Sequence, residues 1–161
     1  MRNPIMIILT ILFLMLSTLS CAQEKAEVTE ATTDNHINWL EDYDMALEKA
    51  SQENKVVLIN FTGSDWCKWC IRLVDEVFSH QEFADYADKH LVMLKIDFPT
   101  TFQQLPQEEQ LKRQELQQKY GVRGYPTILL TDAEGKVIGQ TGYQSGGPQK
   151  YIDHLEMMIN K

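Results

Sequence analysis

The hydrophobic and polar positions of this chain follow a helical period in some stretches and a strand-like pattern in others. Apolar and small residues recur every three or four positions over residues 39–53, which predicts an amphipathic helix there. Residues 56–61 form a nearly continuous apolar run, Val-Val-Leu-Ile-Asn-Phe, of the kind found in strands that are buried on both faces of a sheet. The folded part is therefore predicted to begin with a helix and a central strand.

The rest of the chain alternates helical and strand-like patterns up to residue 159. A loop over 132–135 ends in Gly135 and joins two predicted strands as a hairpin. In chain order, the further predicted elements are a helix from Cys70 through Phe78, a short helix over 83–87, a strand over 92–96, a helix over 106–119, strands over 127–131 and 136–141, and a helix over 148–159. This order predicts an α/β fold with a mixed central sheet flanked by helices.

Residues 1–20 have the pattern of a signal peptide. A positively charged start at Arg2 is followed by an apolar stretch over 5–16 and then by small residues. The tripeptide Leu-Ser-Cys that ends at Cys21 resembles a bacterial lipobox, which makes Cys21 a candidate for lipidation. Cleavage by an ordinary signal peptidase and retention as an uncleaved anchor are the alternatives. All three predict a domain outside the cytoplasm.

Length and composition are those of one folded domain behind this leader. The chain has 161 residues, of which 43% are apolar and 24% charged, as in an ordinary globular protein. Residues 21–35 are polar and lack apolar periodicity, so they are predicted to be a flexible tether, and 36–161 are predicted to be the domain. Asp and Glu outnumber Lys and Arg by 23 to 15, and the net charge of −8 argues against nucleic acid as a partner.

Two cysteines three positions apart carry the candidate chemistry. Cys67 and Cys70 follow the predicted strand over 56–61 and open a helix, where unpaired backbone N–H groups favour a thiolate at Cys67. A zinc site would need two further Cys or His ligands at similar spacing, and covalent haem would need His in place of Ile71. A disulfide across four residues would stabilise the fold little. The pattern therefore predicts redox chemistry without a metal or an organic cofactor.

The cysteine pair is part of a longer series of motifs. They are Asn60-Phe61, Trp66-Cys67-Lys68-Trp69-Cys70, Ile96-Asp97 and Tyr120-Gly121-Val122-Arg123-Gly124-Tyr125-Pro126-Thr127. Over residues 37–160 the chain resembles the thioredoxin superfamily, and in particular its exported thioredoxin-like members with a Trp-Cys-x-x-Cys site. This resemblance implies that Cys67 is the attacking thiol, that Cys70 resolves the mixed disulfide, and that Pro126 is a cis-proline facing the pair.

The resemblance also implies roles for the neighbours of the pair. The backbone of Tyr125 is expected to pair with an extended substrate segment. Trp66 is expected to belong to the substrate surface, with a place in the core as the alternative. Lys68, Trp69 and Asn60 are expected to tune the redox properties of the pair. Asn60 stands where thioredoxins bury an aspartate beneath the second cysteine, and Trp69 stands where they have proline or a small residue.

The chain is thus expected to be an exported thiol–disulfide oxidoreductase of the cell envelope or periplasm, with a thioredoxin-like fold. An insertion between Asp97 and Tyr120 precedes the cis-proline segment. The expected partners are envelope proteins with disulfides or dithiols, an upstream thiol–disulfide electron donor, and the membrane through the N-terminal lipid or anchor. Reduction of substrates is the expected direction. A disulfide oxidase or isomerase and a non-catalytic redox-sensing module are the alternatives.

Overall fold

The computed structural model describes residues 37–161, which form a five-stranded mixed sheet with helices packed on both faces. The predicted signal peptide, the lipidation of Cys21 and the tether lie outside the described residues. The strands are β1 (Trp39–Leu40), β2 (Val56–Thr62), β3 (Leu91–Asp97), β4 (Thr127–Thr131) and β5 (Val137–Thr141). Their order is β1-β3-β2-β4-β5, with β1 and β2 parallel to β3, and with β4 antiparallel to β2 and β5. The predicted fold class is confirmed.

Five helices connect and cover these strands. They are α1 (Tyr43–Glu53), α2 (Lys68–Leu73), α3 (Gln81–His90), α4 (Gln107–Lys119) and α5 (Gly147–Ile159). The helix α2 continues directly into a π-helical turn, Val74–Phe78, and a short 3-10 helix, Phe102–Gln104, lies between β3 and α4. Each predicted helix after residue 70 is present, and the short helix predicted over 83–87 extends further at both ends.

The helix predicted over 39–53 is wrong in its first part. Trp39 and Leu40 form β1, in register with Met93 and Leu94 of β3. The helix begins only at Tyr43, because the carboxylate of Asp42 caps it by accepting a hydrogen bond from the Met45 N–H at 2.9 Å. Apolar residues at positions 39 and 40 fit a helical stripe as well as a strand, and pairing with β3 decides between them.

The core consists of two apolar layers, one on each face of the sheet. Side chains alternate along β2, so that Leu58 joins one layer while Ile59 and Phe61 join the other. The Leu58 layer contains residues of α2, α3 and α5, and the Phe61 layer contains residues of α1 and of the region that follows β3. Since β2 is buried on both faces, it is the central strand that its apolar sequence predicts.

Two tyrosines fasten the end of α4 to the rest of the domain. The Tyr43 and Tyr120 hydroxyl oxygens are 2.7 Å apart, and the Tyr120 hydroxyl donates to the carbonyl of Gly135 at 3.0 Å. Gly135 has a φ of +78° and lies against the Tyr43 hydroxyl, so a side chain there would be strained and would displace the tyrosine. Burial raises the pKa of Tyr120, which keeps the hydroxyl protonated as a donor.

None of the helices within residues 37–161 combines the length and the apolar character needed to cross a membrane.

Candidate active site

The cysteine pair lies where β2 ends and α2 begins. A turn at Gly63 connects the two elements, and the Cys67 N–H donates to the Gly63 carbonyl at 2.9 Å. Cys67 is the N-cap of α2 and is joined to Cys70 by a disulfide, with the two Cα atoms 5.2 Å apart. Both side chains are buried, with exposed fractions of 6% for Cys67 and 2% for Cys70. The structure therefore holds the oxidised form of the pair, with Cys67 the more accessible member.

The local backbone favours negative charge on Cys67. The Cys70 N–H donates to the Cys67 sulfur at 3.2 Å, and the Ile71 N–H donates to the Cys67 carbonyl at 3.0 Å. The first N–H groups of a helix point along its axis without helical partners and carry partial positive charge. A thiolate that forms at Cys67 on reduction would take the place of the disulfide sulfur in front of these donors.

Tyr125 and Pro126 lie next to this site because they directly precede β4, the strand that pairs with β2. Their peptide bond is cis. Thr127, the first residue of β4, pairs with Phe61 near the end of β2, so Pro126 lies beside the strand end from which the cysteine turn starts. The Tyr125 and Trp66 rings meet edge to face, with their centroids 5.8 Å apart. The structure thus brings together the two separate motifs that the resemblance puts in one site.

Trp66 is fastened in place although half of its side chain is exposed. Its exposed fraction is 50%, so the alternative of a core aromatic is wrong. The indole lies against Gly63, where a Cβ atom would collide with the ring, and its Nε1–H donates to the Phe98 carbonyl at 2.7 Å. The indole is therefore held by its contact with Gly63 and by its N–H, and it directly precedes Cys67 in the chain.

Tyr125 is held by the same neighbourhood. Its ring lies 5.4 Å from the Phe98 ring, and its hydroxyl accepts a hydrogen bond from the Gln117 side-chain amide at 2.9 Å. Burial raises the pKa of Tyr125, so the hydroxyl stays neutral. Phe98 thus contacts both aromatic residues of the site, Trp66 through its carbonyl and Tyr125 through its ring.

The turn before the cysteines is joined to the segment after β3 by two carboxylates. Asp97 accepts hydrogen bonds from the N–H and the hydroxyl of Ser64. Asp65 accepts hydrogen bonds from the N–H and the hydroxyl of Thr100, and the hydroxyl bond lowers the pKa of Asp65. None of these four residues was predicted for the site. Their only sequence signal is the Ile-Asp motif at the end of β3.

Trp69, between the cysteines, belongs to a second aromatic cluster. Its ring is 5.3 Å from the Tyr143 ring, and the Arg72 guanidinium lies over both rings at 5.8 and 5.5 Å. Glu76 accepts hydrogen bonds from Tyr143 and Arg72, which lower the pKa of its carboxyl. Lys68, the other residue between the cysteines, is exposed, with its ammonium 5.9 Å from the Trp69 ring.

Asn60 is buried in the middle of the sheet. It pairs with Ile128 across β2 and β4, and it shares with Ile128 and Leu58 the sheet face that α2 covers. Its exposed fraction is 4%, and its side-chain oxygen has no hydrogen-bond partner among residues 37–161. An amide on the face covered by the cysteine helix can accept a hydrogen bond, but it cannot take a proton from a thiol at neutral pH.

Residues 37–161 contain no group of three or more His, Cys, Asp or Glu side chains placed to hold a metal ion.

The fold and the paired cysteines define a thiol–disulfide oxidoreductase built on a thioredoxin-like domain. A model of the thioredoxin-like domain family matches residues 43–158, and the chain belongs to this family. Among curated proteins it is similar to the disulfide bond reductase DsbH of Chlamydia pneumoniae, with 37% identity over 84% of this chain and 81% of that protein. The thioredoxin-related protein DsbJ of the same organism is 27% identical over 77% of this chain and 35% of its own length.

A solved structure supports the same family. The structure titled DsbH oxidoreductase superposes with a TM-score of 0.73 and 37% identity, over 78% of this chain and 85% of that chain. Cys67 and Cys70 form the Cys-x-x-Cys pair that this class of enzyme uses for thiol–disulfide exchange.

Proposed function

We propose that the chain is an exported disulfide reductase that acts on proteins of the cell envelope. The observation that carries this proposal is the Cys67–Cys70 pair at the start of α2, with the Cys70 N–H directed at the Cys67 sulfur. This arrangement stabilises a thiolate that can both attack a disulfide and leave again. The reductive direction is supported by the 37% identity to a protein named as a disulfide bond reductase.

The reaction begins with Cys67 as thiolate and Cys70 as thiol. Cys67 attacks a substrate disulfide, so the substrate S–S bond breaks, a mixed disulfide forms, and the other substrate sulfur leaves as a thiolate and takes up a proton. Cys70 then loses its proton and attacks the Cys67 sulfur. The second substrate sulfur leaves and is protonated, and the Cys67–Cys70 disulfide remains. The substrate gains two electrons and the protein loses two.

In this scheme, some neighbours of the pair bind the substrate and others tune the reactivity of the two cysteines. Trp66 and Tyr125 line the side of the site from which a substrate segment approaches, and the backbone before Pro126 pairs with that segment. Three residues tune the pair: Lys68 by its charge, Trp69 by its bulk between the cysteines, and Asn60 by the missing carboxylate. An upstream dithiol donor regenerates the reduced pair, and no cofactor takes part.

The reduction potential of the pair tests the direction of the reaction. We expect a value near that of reducing family members, about −270 mV, and far from the value of strong oxidants, about −120 mV. Equilibration of the protein with glutathione or dithiothreitol buffers, followed by thiol alkylation and mass spectrometry, measures it. A value near the oxidant end would contradict the reductant and support the oxidase or isomerase alternative.

Export with a lipid anchor has its own test at Cys21. If Cys21 is lipidated, the unchanged chain sediments with membranes, and Cys21→Ser removes it from that fraction because its acyl anchor is lost. Fractionation of cells with detection by antibody measures this. The Cys67→Ser/Cys70→Ser double variant is the matched control, because it keeps Cys21 and cannot be linked to membrane proteins through the cysteine pair. A chain already soluble outside the cytoplasm, with its N-terminus at Gln23, would show instead that an ordinary signal peptidase cleaves it.

A further inference from the structure

The turn that carries Trp66 is bonded, residue by residue, to the start of the insertion. Ser64 donates to Asp97, Asp65 accepts from Thr100, and Trp66 donates to the Phe98 carbonyl. Three consecutive residues of the turn therefore each bond to residues 97–102, called here the 97–102 segment.

The 97–102 segment is itself held by packing between its two phenylalanines and by a hydrogen bond from α4. Phe98 and Phe102 are buried, with ring centroids 5.0 Å apart, and the Arg113 guanidinium of α4 donates to the Asp97 carbonyl at 2.7 Å. Arg113 also pairs with Glu109 at 3.1 Å and with Glu41 at 3.6 Å. The segment thus connects the inserted helix α4 to the turn before the cysteines.

The side chains that the segment holds are Trp66, which directly precedes Cys67, and Tyr125, whose ring packs against Trp66. Trp66 keeps half of its surface exposed while its N–H bonds to Phe98 and its ring lies against Gly63, and Tyr125 is held by Phe98 and Gln117. An aromatic side chain that is exposed and immobile binds a partner at lower entropic cost than a mobile one. A purely structural role for these contacts would not require the indole to remain exposed.

We propose that the 97–102 segment positions the substrate-binding surface: it holds Trp66 and Tyr125 beside Cys67, so that a polypeptide disulfide docks on a preformed aromatic wall. Thr100 and Phe98 are positioning residues, since they act through Asp65, Trp66 and Tyr125 and do not touch the reacting sulfurs. This role rests on the proposed reductase function. It predicts a selective effect, because only substrates large enough to contact the wall depend on it.

Thr100→Val tests this role by removing the hydroxyl donor to Asp65 and keeping the size of the side chain. We expect the KM for the disulfides of insulin to rise by about twofold to tenfold, the factor that corresponds to immobilising one side chain on binding. The kcat and the reduction potential should stay unchanged, as should the rate with 2-hydroxyethyl disulfide, which is too small to need the wall. Steady-state kinetics with both disulfides and a redox titration measure these quantities.

Thr101→Val is the matched control. It makes the same substitution at the adjacent exposed position, whose side chain makes no capping hydrogen bond to the short 3-10 helix. We expect it to behave like the unchanged protein with both disulfides. A rise in the KM for insulin as large as that of Thr100→Val would contradict a specific role of the Asp65–Thr100 bond.

Asp65→Asn changes the acceptor of the same hydrogen bonds. It keeps the proposal testable if Thr100→Val fails to fold. Because both substitutions weaken one interaction, the double variant should show a KM close to that of either single variant. Urea unfolding of each variant reports the stability separately. Equal losses of activity with insulin and with 2-hydroxyethyl disulfide, or unchanged kinetics with both, would overturn the positioning role. If the unchanged protein reduces neither disulfide, the proposed reductase function itself fails, and the positioning role fails with it.

Discussion

Cys70→Ser is expected to accumulate mixed disulfides with envelope proteins, whereas Cys67→Ser is expected to accumulate none. In Cys70→Ser the Cys67 thiolate still attacks, but no second thiol follows to release the substrate. In Cys67→Ser the remaining thiol is the more buried of the two, one helical turn inside α2. Both variants should lose turnover to the uncatalysed background, since each lacks one of the two sulfurs that the cycle oxidises.

The experiment is to quench growing cells with acid, alkylate free thiols and separate the adducts on a non-reducing gel, followed by mass spectrometry. The Cys67→Ser/Cys70→Ser double variant is the control, because it keeps Cys21 and so reveals any adduct formed through that third cysteine. Serine suits the Cys67 position as an N-cap, so the start of α2 should persist in these variants. Equal trapping by the two single variants would contradict the assignment of nucleophile and resolving thiol.

Asn60→Asp is expected to speed the resolving step and to destabilise the protein. The new carboxylate lies on the sheet face that α2 covers and supplies a proton acceptor for Cys70. Well-placed general bases contribute roughly 10²–10⁴-fold, and an acceptor without designed geometry should give less. Burial of a carboxyl group without a partner should lower the free energy of unfolding by about 1–3 kcal/mol.

The loss of stability caused by Asn60→Asp should depend on pH in a defined direction. Burial raises the pKa of the new carboxyl in the folded state above the unfolded value of about 3.9. The folded state then binds the proton more tightly than the unfolded state, so the variant loses stability as the pH rises from about 3.9 through the folded-state pKa, and it regains stability below that range. Denaturant unfolding at several pH values measures this dependence.

Stopped-flow kinetics of disulfide reduction between pH 6 and 9 measure the rate. Asn38→Asp adds the same charge at an exposed position and should change neither rate nor stability. Faster resolution in a less stable protein supports a place for Asn60 near Cys70. An Asn60→Asp variant with unchanged rate and stability would show that the side chain at position 60 does not serve the cysteine pair.

The parts of the site that could be predicted from the sequence are those set by local pattern. The strand over 56–61, the cysteines at i and i+3, and the helix after them are all encoded within about twenty residues, and periodicity with helix-end chemistry describes such stretches well. The same method gave the wrong structure for Trp39 and Leu40, because two adjacent apolar residues fit a helix or a strand. Their pairing with Met93 and Leu94, more than fifty positions away, determines the outcome.

The contacts that hold the site could not be predicted in this way. Asp65 and Thr100 are 35 positions apart, and both lie in irregular segments without a period to place them. Tyr143 likewise reaches Glu76 from a loop 67 positions further along the chain. The departures at Asn60 and Trp69 were visible in the sequence. Their surroundings, an amide oxygen without a partner and an aromatic ring beside Tyr143 and Arg72, appear only in the folded chain.

The two exposed indoles give this protein a built-in optical reporter. Trp66 and Trp69 directly precede Cys67 and Cys70, and a disulfide quenches the fluorescence of an indole next to it. Trp39, the third tryptophan of the chain, packs against Phe78 and lies on β1, so we expect it to supply a constant background. We therefore expect the emission intensity of the unlabelled protein to change when the pair is oxidised or reduced, so that electron transfer to or from a candidate partner can be followed by fluorescence.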